Sequence, residues 1–237
     1  MAIILAVDTS AKPVSCALIK DGRILGNYYS HSGLTHSQTL MPMIDHLLSI
    51  SGLQSSDALD AVAVNAGPGS FTGVRIGVSA VKGIAFAREL PCISVSTLES
   101  MAENVTVVGD CVVCGVMDAR CSQVYTAMFE KREGNTYRIT EDMAVTIDEL
   151  SQRLKDLGRP IVLVGDGSEI CYSRLKDSVP QLYLSSPSVR FQNAASTAVV
   201  AERKYLAGET VSAAELLPIY LRLPQAEREL NAKMNLK

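Results

Sequence analysis

The fold of this chain is decided by the stretch Val64-Asn65-Ala66-Gly67-Pro68-Gly69-Ser70-Phe71-Thr72-Gly73. It follows a short apolar run, 60–64, that is typical of a strand, and it leads into a predicted helix, 74–89. Glycine lets another group approach the backbone closely, and a helix N-terminus offers unpaired N–H groups. The sequence therefore predicts a sharp strand-to-helix turn, formed by Gly67, Pro68, Gly69 and Ser70.

The predicted helix carries an unusual face of small residues. At about 100° per residue, five of them fall within a wedge of roughly 120°: Gly73, Gly77, Ala80, Gly83 and Ala87. Glycine costs about 1 kcal/mol relative to alanine inside a helix, so three glycines indicate that another backbone must come close. The face could pack against a helix of its own domain. We favour docking to another subunit, because small residues let helices approach closely.

A neighbouring predicted helix, 39–50, could complete such an interface. Its apolar face consists of Leu40, Met43, Ile44 and Leu47. Two helices from each subunit would form a four-helix interface with pseudo-twofold symmetry. Arg75, on another face of the glycine-containing helix, could be a solvated charge or could meet an acidic rim on the partner. The same surface could also form a homodimer. The homodimer would then compete with docking to the other subunit.

The composition excludes several classes of protein. The chain has 237 residues, of which 47% are hydrophobic, and a formal net charge of −3. No apolar run approaches the ~20 residues of a membrane span, and the apolar start is too short for a signal peptide. Proteins that grip nucleic acid by themselves usually carry a basic patch, and here no run of Lys and Arg exceeds two residues. We expect a cytoplasmic protein without membrane contact, with any RNA held mainly by a partner.

Neither the cysteines nor the histidines follow a metal-ligand pattern. Cys111 and Cys114 have the spacing of a metal motif, but residues three apart on a strand point to opposite faces and no second pair exists. His31, His36 and His46 have spacings that fit no helical metal pair. We expect buried, reduced cysteines and solvated or capping histidines, with zinc or redox work and acid–base chemistry as the alternatives.

The order of predicted elements divides the chain into two blocks and a tail. Residues 1–104 predict strand, strand, strand, helix, strand, helix, strand, helix, which is the order of the ribonuclease-H-like half of the actin, Hsp70 and sugar-kinase superfamily. Residues 105–211 predict a smaller, less regular α/β domain that could be a degraded copy of the first. Residues 212–237 form a proline-punctuated tail that either packs back or is mobile.

Two segments together closely resemble the bacterial TsaB (YeaZ) family: Ala2-Ile3-Ile4-Leu5-Ala6-Val7-Asp8-Thr9-Ser10 and Gly67-Pro68-Gly69-Ser70-Phe71-Thr72-Gly73-Val74-Arg75-Ile76-Gly77. Ser96-Thr97-Leu98-Glu99 and Tyr220-Leu221-Arg222 agree with it. The resemblance implies a two-domain actin-like fold with mixed five-stranded sheets flanked by helices. It also implies a role in making threonylcarbamoyl-adenosine next to the anticodon of tRNAs that read codons beginning with A. In that family the subunit does not catalyse: it pairs with the catalytic paralogue TsaD, and the ATPase TsaE joins them.

The catalytic paralogue ligates a metal through a His-x-x-x-His pair that this chain lacks. The corresponding stretch here is Val95-Ser96-Thr97-Leu98-Glu99-Ser100-Met101, with Thr97 and Met101 at the two histidine positions. A hydroxyl and a thioether cannot replace two neutral imidazoles for a hard or borderline divalent cation. The sequence therefore argues against transferase or glycoprotease activity in this chain and predicts no metal.

A nucleotide site is the remaining enzymatic hypothesis. Asp8, Thr9 and Ser10 end the first predicted strand, where actin-like ATPases place a catalytic carboxylate and a phosphate-contacting turn. Alternatively, Asp8 accepts backbone N–H bonds and the hydroxyls tighten the turn. Gly165 and Gly167 would belong to a second phosphate turn, shorter than an efficient cradle. We expect no intrinsic cofactor and leave open ATP or ADP at a subunit boundary. The competing function is a stand-alone actin-like ATPase or kinase, or a metal-dependent glycoprotease.

Overall fold

The computed structural model of the chain describes residues 2–53, 58–106 and 109–222. Its first sheet has the strand order β3-β2-β1-β4-β5. Strands β1 and β2, and β2 and β3, are antiparallel, whereas β4 is parallel to both β1 and β5. The strands are β1 (Ile3–Asp8), β2 (Val14–Lys20), β3 (Arg23–Ser30), β4 (Ala61–Gly67) and β5 (Cys92–Ser96).

The second sheet repeats this topology with a different sequence. Its order is β8-β7-β6-β10-β11, and an additional strand, β9, pairs with β7. Strands β8 and β7, and β7 and β6, are again antiparallel, and β10 is parallel to both β6 and β11. The architecture is thus a two-domain actin-like α/β fold. The strands are β6 (Cys111–Asp118), β7 (Gln123–Arg132), β8 (Asn135–Arg138), β9 (Met143–Thr146), β10 (Ile161–Val164) and β11 (Leu182–Leu184).

In the described part of the chain, six helices cover the two sheets. The central strands β1, β4 and β6 are nearly continuous apolar runs, as expected for strands buried on both faces. Helices α1 and α2 cover one face of the first sheet, and α4 and α5 one face of the second. The helices are α1 (His36–Ile50), α2 (Phe71–Phe86), α3 (Thr97–Glu103), α4 (Ile147–Lys155), α5 (Ser168–Leu175) and α6 (Ala194–Leu206).

The remaining two helices are exchanged between the halves of the chain. Helix α6 lies within the predicted second domain, 105–211, yet its alanines pack on Ile4, Ala6 and Ile19 of the first sheet. Helix α3 lies within the predicted first domain, yet Leu98 and Met101 pack on the second sheet. The predicted domain boundaries remain a prediction, but packing does not follow them, because each sheet buries one face under a helix from the other half.

The apolar face of α1 belongs to the core of its own chain. The prediction placed Leu40, Met43, Ile44 and Leu47 at a subunit interface. In the structure Leu40, Ile44 and Leu47 are almost fully buried against the first sheet, and Met43 is half-buried beside them. The Leu47 side chain reaches β3, where a Cβ on Gly26 would lie 2.6 Å from Leu47 Cδ1. The same apolar spacing serves packing within the domain, so it does not by itself identify a docking face.

The start of the predicted tail packs back on the first domain. Val211 forms a β-bridge with Cys92, and Leu216 is only 1% exposed within the first core. Residues 223–237 lie outside the described part of the chain. In the part that is described, no helix is long and apolar enough to cross a membrane.

Candidate functional site

A cleft of about 570 Å³ lies where the carboxyl ends of strands from both sheets meet. Turns that follow β1 and β4 line one side of the cleft, and the ends of β6 and β10 line the other. Residues 219–222 of the tail border it as well. Ligands of open α/β sheets bind outside the carboxyl ends of strands, so this is the candidate site. Its polar lining residues include Ser10, Lys12, Ser70, Asp118, Arg120, Asp166 and Arg222.

The two sides of the cleft are built from equivalent parts. Strands β1 and β6 both end at an aspartate, Asp8 and Asp118. Strands β4 and β10 both run into a Gly-x-Gly turn, with φ of +129° at Gly67 and +108° at Gly165. The topology makes Gly165 the counterpart of Gly67. Gly165 and Gly167 lie between β10 and α5, as expected from the sequence, and their role as a second phosphate turn stays a prediction.

The counterpart of the Asp8 turn is the β6–β7 turn, residues 118–122, which sequence reasoning missed. Its signal was present: an apolar run ends at Asp118 as another ends at Asp8. Three consecutive residues of the turn have positive φ values, Arg120 at 63°, Cys121 at 53° and Ser122 at 57°. Non-glycine residues adopt such angles uncommonly. This conformation folds the turn into the cleft beside the tail.

The Asp8 carboxylate accepts hydrogen bonds from neighbouring residues of its own chain. The backbone N–H and hydroxyl of Ser10 donate to Asp8 Oδ1 at 2.8 and 2.6 Å, and Asn65 Nδ2 donates to Oδ2 at 2.6 Å. Burial raises the pKa of Asp8, while the hydrogen bonds from Ser10 and Asn65 act in the opposite direction. The Thr9 hydroxyl donates to the Gly73 carbonyl at 2.7 Å. These contacts fit the interpretation in which the three residues brace a turn.

The backbone donors of the two glycine turns are likewise used internally. The Ser70 N–H donates to the Ser10 carbonyl at 2.7 Å, the Gly165 N–H to the Arg190 carbonyl at 2.7 Å, and the Gly167 N–H to the Val116 carbonyl at 3.1 Å. A phosphate cradle needs such N–H groups free to face the ligand. Nucleotide binding by Asp8, Thr9, Ser10, Gly165 and Gly167 stays a prediction, and this bonding leaves fewer donors for it.

Asp166, between Gly165 and Gly167, is a buried carboxyl group that lines the cleft. Its Oδ1 accepts a hydrogen bond from the Asp118 N–H at 3.2 Å. Burial raises the pKa of Asp166 to about 6, the negative charge of Asp118 adds to the increase, and Lys12 opposes it. The group therefore titrates closer to neutral pH than an ordinary aspartate, because it is buried and stands next to a second carboxylate.

The small-residue face of α2 is divided between the core and the surface. Gly73 and Gly77 face the chain itself: a Cβ on Gly73 would overlap the Thr9 carbonyl oxygen, and one on Gly77 would lie 2.5 Å from Thr9 Oγ1. Ala80 is half-buried, whereas Gly83 and Ala87 are exposed. A Cβ on Gly83 would meet nothing within 4 Å. The first half of the face thus serves internal packing, and only the second half is open to a partner.

A surface groove of about 500 Å³ runs between α1 and α2. It brings together three residues of the predicted interface, Leu40, Arg75 and Ala80, and leaves out Ile44, Leu47 and the two buried glycines. Sequence reasoning missed three apolar residues there, Met41, Phe71 and Ile76. The lining is Ser37, Leu40, Met41, Phe71, Thr72, Arg75, Ile76, Ser79 and Ala80.

The positions of the missing histidine pair are closed off. Thr97 and Met101 both lie on α3 with no exposed surface, and Met101 packs in the core beneath the second sheet. Within residues 2–53, 58–106 and 109–222, no group of three or more His, Cys, Asp or Glu side chains could hold a metal ion.

The histidines and cysteines occupy ordinary structural positions. His46 Nδ1 and the Tyr28 hydroxyl are 2.7 Å apart, and the ring of His31 packs edge-on against Phe191. His36 Nε2 lies 3.2 Å from the Lys12 carbonyl oxygen. All six cysteines are free thiols; Cys121 is exposed, and the others are buried.

Comparison with known proteins gives consistent matches. The family model for the tRNA N6-adenosine threonylcarbamoyltransferase TsaD matches residues 30–230. The chain is 34% identical to the tRNA threonylcarbamoyladenosine biosynthesis protein TsaB of Escherichia coli, over 97% of this chain and 99% of that protein. It is 29% identical to the Bacillus subtilis protein of the same name, over 94% and 96%. A Pseudomonas aeruginosa crystal structure, described as an uncharacterized protein with similarity to peptidase YEAZ, superposes with a TM-score of 0.80 at 30% identity, over 94% of this chain and 100% of that chain.

The division of the small-residue face predicts opposite effects of one substitution at two sites. Gly73→Ala should lower the free energy of unfolding by about 1–3 kcal/mol, because the new Cβ overlaps the Thr9 carbonyl oxygen and overpacking is costly. Gly83→Ala should raise it by about 1 kcal/mol, because alanine is the better helix former and the site is open. Chemical denaturation of the isolated chain measures both. A stabilising Gly73→Ala would contradict the close packing of α2 on β1.

The position of Asp166 predicts how stability depends on pH. The pKa of Asp166 is about 6 in the folded chain and 3.8 as the ordinary value, so the folded state binds more protons between these pH values. Its contribution to stability is therefore lost as the pH rises from about 4 to about 6. The parent should lose stability as Asp166 ionises, and Asp166→Asn should not. The difference between the Tm of Asp166→Asn and the Tm of the parent should therefore grow as the pH rises from about 4 to about 6. Asp45→Asn, on the exposed side of α1, is the matched control; a flat difference for Asp166→Asn would contradict the burial argument.

Proposed function

The chain belongs to the TsaB family of tRNA threonylcarbamoyladenosine biosynthesis proteins, and from this premise we propose that it is a non-catalytic assembly subunit of the complex that makes this nucleoside. It docks to a TsaD-like catalytic paralogue, orders the site of that subunit, and acts together with a TsaE-like ATPase. It resides in the cytoplasm, and tRNA reaches it only through the complex.

One observation carries the non-catalytic assignment. The two positions at which the catalytic paralogue needs imidazoles are filled by Thr97 and Met101, and both side chains are buried under the chain's own core. Threonylcarbamoyl transfer by the paralogue requires a metal centre, which a hydroxyl and a thioether cannot form. The chain therefore contributes to the reaction by contact with the subunit that has the ligands.

The groove between α1 and α2 is the docking surface of the proposal. It combines an apolar floor with small residues, which suits the close approach of a helix. Met41 is 41% exposed and Phe71 is 36% exposed, so apolar area is available to be buried by a partner. Because the paralogue shares the fold of this half, the pairing would be of pseudo-twofold type, and a homodimer through the same groove would compete with it.

Arg75 at the edge of the groove is held in place for an acidic partner residue. Its guanidinium carbon lies 3.8 Å from the centroid of the Phe71 ring, and its Nε donates to the Tyr220 hydroxyl at 2.7 Å. Among residues that the structure describes, no carboxylate forms an ion pair with it. The Nη groups remain available to a carboxylate of the partner, whose long-range attraction would raise the association rate more than the affinity.

Reconstitution separates an assembly subunit from an enzyme. Threonylcarbamoyl transfer by a TsaD-like subunit and a TsaE-like ATPase should require this chain, and the purified chain alone should show no metal-dependent turnover and negligible ATP hydrolysis. Product formation on tRNA and phosphate release are the measurements. Robust ATP hydrolysis by the isolated chain that Asp8→Asn abolishes would replace the proposal with the actin-like ATPase hypothesis.

A second experiment tests the docking surface itself. Ala80→Arg places a charge in the groove, so co-purification with the catalytic subunit should be lost or its Kd raised roughly tenfold or more. Ala80 is half-buried at the surface, and the isolated variant should keep the parent's Tm. Ser173→Arg, at an exposed position on α5, the counterpart of α2 in the other domain, is the control and should bind normally. Normal binding by folded Ala80→Arg would remove α2 from the interface.

A further inference from the structure

We propose that residues 216–222 form a strap that holds the cleft between the two domains closed. The strap starts in the core of the first domain, follows α2 to the glycine turn, and ends on a carbonyl of the second domain. The proposal does not depend on the function proposed above, because every contact that carries it lies within this chain.

The first end of the strap is fixed to the first domain. Lys82 Nζ on α2 donates to the carbonyls of Ala214 and Leu216 at 3.2 and 3.1 Å, and the Leu216 side chain is buried in the core. The Ile219 N–H donates to the Ala66 carbonyl at 2.7 Å. A Cβ on Gly67 would overlap the Ile219 carbonyl oxygen, so the glycine turn is where the strap can approach the sheet.

The middle of the strap is held by two aromatic rings and one cation. Arg75 Nε donates to the Tyr220 hydroxyl at 2.7 Å, and the ring centroids of Tyr220 and Phe71 are 5.2 Å apart. The Arg75 guanidinium stacks on the Phe71 ring at the same place. Such cation–π contacts contribute about 0.5–1 kcal/mol at exposed sites. Tyr220 is therefore fixed directly at the start of α2, on the first-domain side of the cleft.

The far end of the strap crosses to the second domain. Arg222 Nη1 donates to the carbonyl oxygen of Ala119 at 3.0 Å. Ala119 stands in the β6–β7 turn, whose conformation is fixed by its own hydrogen bond from the Ala119 N–H to the Gln123 carbonyl. The residues from Ile219 to Arg222 all line the cleft. The hydrogen bond from Arg222 to Ala119 thus links the strap, which is bound to the first domain, to the β6–β7 turn of the second domain across the cleft.

A second junction between the halves lies away from the cleft, where a hinge would be placed. Helices α3 and α6 contact each other through a hydrogen bond of 2.9 Å between the hydroxyls of Ser100 and Thr197, and no residue of either helix lines the cleft. Motion about that junction would open the cleft, and domain closure of this hinged kind is ordinarily driven by a bound ligand that bridges two domains. Here the strap supplies the bridge from within the chain.

Interdomain distance measured by pulsed electron paramagnetic resonance tests the strap. In a Cys121→Ser background, spin labels at Ser49→Cys on α1 and Ser173→Cys on α5 report on the outer faces of the two domains. Burial raises the pKa of Cys16, Cys114 and Cys171 to about 12, which keeps these thiols unreactive to the label. The doubly labelled chain without a substitution in the strap should give one narrow distance distribution.

Arg222→Ala should broaden that distribution and lengthen its mean, because the contact to the second domain is lost. Tyr220→Phe, which keeps the ring and removes the hydroxyl that accepts from Arg75, should broaden it less. Leu217→Ala is the control: this side chain is 65% exposed in the same segment, and the distribution should not change. Unaltered distributions in both Arg222→Ala and Tyr220→Phe would overturn the proposal, whatever the outcome of the docking experiments.

Discussion

At the end of β1, the Thr9 hydroxyl donates to the Gly73 carbonyl, and the absence of side chains on Gly73 and Gly77 lets α2 lie directly on that strand end. The Ser70 N–H bonds to the Ser10 carbonyl beside it. This close contact fixes the glycine turn and the start of α2. The cleft, the groove toward α1 and the path of the tail all take their positions from those two elements.

The cleft keeps the shape of a ligand site while its polar groups are used within the chain. Asp8 is bonded to Ser10 and Asn65, and the turn N–H groups donate to backbone carbonyls. Unpaired buried polar groups are costly, so a cleft without an obligatory ligand is stable only when such groups find partners in the protein. The same argument supports the proposal of a non-catalytic subunit that retains the actin-like architecture.

The sequence predicted features that depend on local pattern and missed those that depend on distant partners. The sharp strand-to-helix turn and the succession of strands and helices along residues 1–104 follow from short, regular signals, and the structure has both. The apolar spacing of Leu40, Ile44 and Leu47 is the same for a core face and for an interface, so periodicity could not separate the two. Asp118 ends an apolar run as Asp8 does, but the paired topology of the two sheets is what identifies the two residues as counterparts. The contacts of Tyr220 and Arg222 arise in a segment without periodicity, where no local rule applies.

The exchange of α3 and α6 has a consequence for synthesis on the ribosome. The last strand of the first sheet ends at Ser96, but the helix that covers its second face, Ala194–Leu206, emerges roughly 100 residues later, which at about 5–20 residues per second is on the order of ten seconds. Until then the nascent chain exposes the apolar side chains of Ile4, Ile19, Ile93 and Val95. The nascent first domain is consequently a natural client for chaperones that shield apolar surface during translation.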